Sequence, residues 1–149
     1  MKMRDVIWSL DSTKDHVQDL IDRMKAYTLE ALVPFDIVHR FETIDIDPLQ
    51  KLTVDTRQNI YLIFKEAINN IIKHAQATTV DIKLEGKKNM MVMTITDNGK
   101  GFSPSVVVKG HGLGNMEKRA SRIGGKLEIL PGKKEGTTII LVSPFNKNG

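Results

Sequence analysis

Glu66, Asn70 and Lys73 stand four and three residues apart, with His74 directly after, so an α-helix would carry the first three on one face. An amide oxygen on that face can help complete the octahedral shell of a magnesium ion that keeps most of its ligands as water and phosphate. An ammonium group one turn on can neutralise phosphate charge. The plain alternative is the solvated side of an amphipathic helix. His74, near the helix C-terminus, is favoured as a cation by the helix dipole and needs no further task.

Asp97-Asn98-Gly99-Lys100-Gly101-Phe102 follows a β-prone run, which puts a carboxylate at a strand's end, ahead of two glycines that let backbone approach a ligand closely. Such a carboxylate accepts a hydrogen bond from an exocyclic amine and so separates adenine from guanine, whose carbonyl would face it unpaired. An ordinary Asp-Asn-Gly turn has the same residues. Gly110-His111-Gly112-Leu113-Gly114-Asn115 sets three glycines at alternate positions just ahead of a predicted helix, whose first N–H groups are free to bind phosphate. It is neither a dinucleotide fingerprint nor a Walker loop, and a flexible connection would also be glycine-rich. Gly136-Thr137-Thr138 opens the last β-prone run, and Thr137 can offer its hydroxyl to a base or to a base-bound water.

The elements that must position these groups follow from periodicity. Met3, Val6, Ile7 and Leu10 form a helical stripe that stops at Asp11-Ser12-Thr13, too soon for a helix stable by itself. Ser12 or Thr13 is the predicted cap of a helix with the stripe Val17, Leu20, Ile21, Met24, Thr28 and Ala31, ending before Pro34. Asp36 to Ile46 predicts a strand at a sheet edge. Val54 to about Ala75 is the strongest helix, with Ile60, Ile63, Phe64, Ala67, Ile68, Ile71 and Ile72 inward. Alternation at Val80, Ile82 and Leu84, and again at Met91, Met93 and Ile95, predicts a hairpin ending at Asp97. A short helix with Met116, Ala120 and Ile123 inward precedes strands around Leu127 and Ile129 and from Thr137 to Val142. This order predicts an α+β fold, a mixed sheet of about five strands with three main helices on one face.

The 149 residues suit one domain, and 22 Lys plus Arg against 18 Asp plus Glu leave a net charge of +4 that is spread along the chain rather than blocked. Nucleic acid is therefore not the expected partner. The absence of cysteine excludes disulfide scaffolds and thiolate metal sites, and no apolar run reaches the roughly 20 residues of a membrane span. These features predict a soluble piece in a reducing, cytoplasmic setting.

Each motif is weak alone, but together, in one order and within about 75 residues, they resemble a known family. From about Leu49 to Pro144 the sequence is similar to the ATP-binding catalytic domain of sensor histidine kinases, in the superfamily that includes DNA gyrase, Hsp90 and MutL. Glu66 to Ala75 resembles that family's N box, Asp97 to Phe102 its first glycine box, Gly110 to Asn115 its second, and Gly136-Thr137-Thr138 its third. Gly112 to Met116, with Arg119-Ala120 and Gly124-Gly125, is most similar to the nitrate-sensor and DesK-type kinases.

The resemblance implies a two-layer α/β sandwich of the Bergerat type, in which ATP lies between the N-box helix and a lid of about Ser103 to Gly114. It implies that Asn70 coordinates magnesium and that Lys73 and His74 approach the phosphates. Asp97 would bind the adenine amine, Gly99 and Gly101 would shape the adenine end, and Thr137 would meet the base from the far side. Gly110, Gly112, Leu113 and Gly114 would form the phosphate lid, and Glu66 would act as a base or as an organiser of metal-bound water. The family's acceptor histidine lies upstream on a dimerisation domain and is followed by an acidic residue. None of His16, His39, His74 and His111 has that neighbour.

Asp5 to Leu10 resembles the end of that domain's second helix. The resemblance thus implies that residues 1–12 are a remnant of the dimerisation helix and 13–149 the catalytic domain. ATP would be bound without self-phosphorylation, and the full receptor would be a membrane-bound homodimer whose partner is a response regulator receiver domain. The same pocket serves anti-sigma serine kinases and ATPases of the superfamily, and a catalytically silent nucleotide-binding scaffold is the alternative from another class.

Overall fold

Helix α1 (Val17–Leu32), strand β1 (Val38–Ile44) and helix α2 (Val54–Asn70) are followed by the hairpin β2 (Thr79–Lys87) and β3 (Met90–Asp97). Helix α3 (Gly112–Arg122) then leads into β4 (Lys126–Pro131) and β5 (Thr137–Pro144). The structure, a computed structural model, describes residues 3, 7, 8, 11, 13–100, 112–131 and 136–146, with the backbone alone for Ala75, Leu113 and Pro131. The strands form one sheet in the order β1-β2-β3-β5-β4, with β1 parallel to β2 and every other pair antiparallel.

Alternation decides which face of the sheet is covered. Val80, Ile82 and Leu84, Met91, Met93 and Ile95, and Ile139 and Leu141 are buried against Val17, Leu20, Ile21 and Met24 of α1, Ile60, Ile63, Phe64, Ala67 and Ile68 of α2, and Met116, Ala120 and Ile123 around α3. The opposite face carries Asp81, Lys83, Thr94 and Thr96, which are not buried. This is the predicted two-layer arrangement, and its helical stripes and strand alternations are the predicted ones.

Two helix boundaries differ from expectation. The cap of α1 is His16, not Ser12 or Thr13: Thr13 gives both its N–H and its hydroxyl to Asp11 Oδ1, at 2.9 and 2.6 Å, while the His16 N–H reaches Asp19 Oδ2 at 3.1 Å. Ser12 lies outside the described residues. The α-helical part of α2 ends at Asn70, and Ile71–Ala75 continue as a π turn closed by Gln76 at φ 53°. At the other end of the module, α3 stops because Gly124 turns to φ 76° and the Gly125 N–H bonds back to the Ala120 carbonyl at 2.8 Å.

Trp8 packs against the module. Its ring lies 5.2 Å from that of Tyr61 and 5.1 Å from the Arg57 guanidinium carbon, and Arg57 Nη1 donates to the Asp11 carbonyl at 3.1 Å. Arg57 is buried; burial pulls its pKa down, and Asp11, Asp15 and Asp19 oppose that shift. Met3 and Ile7 of the same segment stay exposed. Among the described residues no helix is long and apolar enough to cross a membrane.

Candidate nucleotide site

Asp97 ends β3 on the inward face, with 5% of its surface exposed. The Gly99 N–H donates to its Oδ1 at 2.8 Å, and Thr137, also buried, is its register partner on β5. Burial pushes the Asp97 carboxyl pKa up, while hydrogen bonds from the backbone of Gly99 and Thr137 pull it down. Gly136 stands directly behind: at φ +91° its ideal Cβ would lie 2.1 Å from the Asp97 carbonyl oxygen. Only a residue without a side chain lets the two strand ends approach this closely.

Asn98, the next residue, closes the end of the sheet. Its Oδ1 accepts the Thr78 and Thr79 N–H groups at 2.9 and 2.8 Å, and its Nδ2 donates to Thr78 Oγ1 at 2.8 Å. Sequence reasoning missed this clasp and the Gly136 contact. The available signals were an amide side chain at a strand end and a glycine just before a strand.

On α2, Asn70 is 5% exposed and its amide Nδ2 is buried with no hydrogen-bond partner among the described residues. A buried, unsatisfied amide is costly unless something else completes it. Glu66 is half-buried and lines a cavity of about 380 Å³ between α2 and α3, with Lys65 and Asn69 of α2 and Asn115, Met116 and Arg119 of α3. The Tyr27 hydroxyl donates to Asn69 Oδ1, tying α1 to this rim. Burial raises the Tyr27 pKa and keeps it a donor. Arg119 Nη1 reaches Asn59 Oδ1 at 3.3 Å, which joins α3 to α2.

The predicted residues therefore fall into two groups. Asp97, Gly99 and Thr137 come together at the strand ends; Glu66 and Asn70 lie on α2, and the cavity holds Glu66 but neither Asn70 nor Asp97. Lys73 is exposed and His74 half-buried, and both sit in the π turn rather than in the α-helix that their spacing presumed. A π turn closes i→i+5, so Lys73 is not one α-helical turn on from Asn70, and such turns are frequent at functional sites.

Gly112, Leu113 and Gly114 are the first turn of α3 rather than a loop ahead of it. The glycines thus open the helix instead of preceding it, since a helix's first turn has N–H groups without intrahelical partners and tolerates glycine. Among the described residues a Cβ on Gly114 would meet nothing within 4 Å, so packing against them does not require glycine at that position. Gly101, Gly110 and the lid's residues 103–111 lie outside the described residues.

Residues 55–147 match the family model of the histidine kinase-, DNA gyrase B- and HSP90-like ATPases. The sensor protein VraS of Staphylococcus saprophyticus is 33% identical over 120 residues, which cover 80% of this chain and 33% of that protein. The chain thus spans about one third of the length of the curated relatives it matches. Among solved structures, the catalytic domain of the histidine kinase ThkA superposes with a TM-score of 0.71 at 19% identity, over 89% of this chain and 94% of that one. Full-length ShkA in complex with AMPPNP superposes with a TM-score of 0.71 at 14% identity, over 96% of this chain and 35% of that one. With most of its length matched by the family model and its fold shared with histidine kinase catalytic domains, the chain belongs to the histidine kinase-, DNA gyrase B- and HSP90-like ATPase family.

Proposed function

We propose that the chain is the ATP-binding catalytic domain of a sensor histidine kinase, residues 13–149, preceded by the end of a dimerisation helix. The observation that supports this is a buried carboxylate, Asp97, at the end of β3, in a chain whose N-box helix carries a buried amide, Asn70, with its Nδ2 unpartnered among the described residues. Asp97 is an acceptor held in place by Gly99 and Gly136, suited to an adenine amine and adverse to a guanine carbonyl. Thr137 offers a hydroxyl beside it.

The residues fit magnesium-ATP. Among the described residues no three His, Cys, Asp or Glu could hold a metal between them, so an ion here would take most of its shell from phosphate and water, with Asn70 as its protein ligand. Magnesium, when bound, neutralises charge on the phosphates. Lys73 and His74 add positive or donor groups, and the N–H groups of the first turn of α3, which holds Gly112 and Gly114, receive phosphate oxygens. Glu66 accepts a proton or orders water at the rim of the cavity. Aligning and neutralising the γ-phosphoryl group is most of what transfer to an imidazole needs.

The acceptor histidine is then supplied by a dimerisation domain, the receptor works as a homodimer, and a response regulator receiver domain takes the phosphoryl group onward. The receptor would be membrane-bound, with this domain on the cytoplasmic side. Incubation with γ-labelled ATP tests the assignment: the chain retains nucleotide but takes up no acid-labile label, and stable acid-labile label on this chain by itself contradicts it.

A further inference from the structure

Among the described residues β1 forms one edge of the sheet, paired with β2 alone. The opposite edge, β4, is six residues long and ends in Pro131; β1 is seven residues, Val38–Ile44, with no proline to block further pairing. Val38, Arg40, Glu42 and Ile44 share one face of β1, and His39, Phe41 and Thr43 the other. Val38 is 69% exposed, and Leu29 of α1, on the side of His39 and Phe41, is 55% exposed. A cavity of about 230 Å³ lies at this margin between α1 and β1, lined by Lys25, Thr28, Leu29, His39 and Phe41.

We propose that this edge is self-complementary and that two copies of the chain pair antiparallel through β1 around Phe41, joining their sheets. The partner follows from the charges. An antiparallel pair related by a two-fold axis keeps each residue on its own face, so only registers that oppose residues of like parity are open. Centred on Phe41, Arg40 of each copy faces Glu42 of the other, and Val38 faces Ile44. Moving the centre one residue either way sets Arg40 against Arg40 or Glu42 against Glu42. Within the chain Arg40 is in register with Asp81, and Glu42 with Lys83. The centred register therefore gives a row across both sheets, Asp81, Arg40, then the second copy's Glu42 and Lys83, with charges alternating throughout. Phe41, half-buried with the Lys25 ammonium 5.5 Å from its ring centroid, meets its own copy on the other face. The inference stands apart from the nucleotide site and does not depend on its function.

Sedimentation equilibrium of the chain and its charge variants tests the pairing. Arg40 and Glu42 are exposed, so their exchange spares the core. The chain is expected to dimerise with rising concentration. Arg40→Glu alone and Glu42→Arg alone each oppose like charges twice across the interface, and each weakens self-association about tenfold. An equimolar mixture of the two variants regains the parent's association, because every opposed pair is again of opposite sign. A parent that stays monomeric up to about 1 mM, variants that associate as the parent does, or a mixture no tighter than its separate components would overturn the proposal.

Discussion

Gly136→Ala is the most informative substitution, because it separates the positioning of Asp97 from its chemistry. The added Cβ would stand 2.1 Å from the Asp97 carbonyl oxygen, 3.1 Å from its carbonyl carbon and 3.3 Å from Asn98 Cα. All three are backbone atoms, so no rotamer change relieves the contact and the ends of β3 and β5 must part. A φ of +91° costs an alanine about 1–2 kcal/mol, and overpacking adds about 1–3 kcal/mol. The expected loss is about 2–5 kcal/mol. For a domain of this size each kcal/mol moves Tm by about 2–4 °C, so Tm should fall by about 10 °C while the fold survives at 25 °C.

Because the displaced backbone carries Asp97, nucleotide titration of the folded variant should show the preference for ATP over GTP reduced. The control is Gly114→Ala, where the Cβ meets none of the described residues within 4 Å. It should raise stability by about 0.5 kcal/mol as a helical alanine and yet, on the proposed reading of this turn as a phosphate site, weaken ATP binding. Differential scanning calorimetry together with titration reads both. A Gly136→Ala chain with Tm within about 1 °C of the parent and an unchanged ATP-to-GTP ratio would refute the reasoning.

Asp97→Asn removes a buried charge but leaves one amide oxygen where the carboxylate accepts from the backbone of both Gly99 and Thr137, so ATP affinity should fall; unchanged ATP affinity would contradict the role given to the carboxyl. Since burial raises the folded-state pKa of Asp97, its contribution to stability is fully present below the unfolded pKa and is lost as pH rises through the folded one. The parent's Tm should accordingly rise relative to that of Asp97→Asn as the pH falls. Asn70→Ala should abolish the magnesium-dependent part of ATP binding and leave the metal-free part nearly intact, and a parallel loss of both would argue against a metal ligand. Trp8 is the sole tryptophan, so its fluorescence reports its stacking on Tyr61 and Arg57. Trp8→Ala should cost about 1–2 kcal/mol, and an unchanged Tm would mean that the contact carries no stability.

The sequence made much of this legible where the signal is local. Ile60, Ile63, Phe64, Ala67 and Ile68 declare α2 by their period, and Met91, Met93 and Ile95 declare β3 by theirs, which leaves Asp97 at a strand end on the buried side. What stayed hidden depends on partners distant in the chain or on departures from ideal periods. The π turn at Ile71–Ala75 breaks the 3.6-residue spacing on which the placement of Lys73 relied. Gly136 behind Asp97 and the Asn98 clasp on Thr78 and Thr79 need the strand pairing to be known first. His16 took the cap of α1 because Asp11 engages Thr13, a local competition that propensity does not rank. The unsatisfied amide of Asn70 is invisible to any pattern, since it concerns what the fold leaves without a partner.

The central claim, that Asp97 selects the purine while Asn70 serves its metal, is met most directly by calorimetric titration of the chain with ATP and with GTP, each with and without magnesium. The account predicts measurable ATP binding that magnesium tightens and GTP binding at least tenfold weaker, of the size a mispaired buried polar group imposes. Equal affinity for the two purines, or no heat from either, would contradict it.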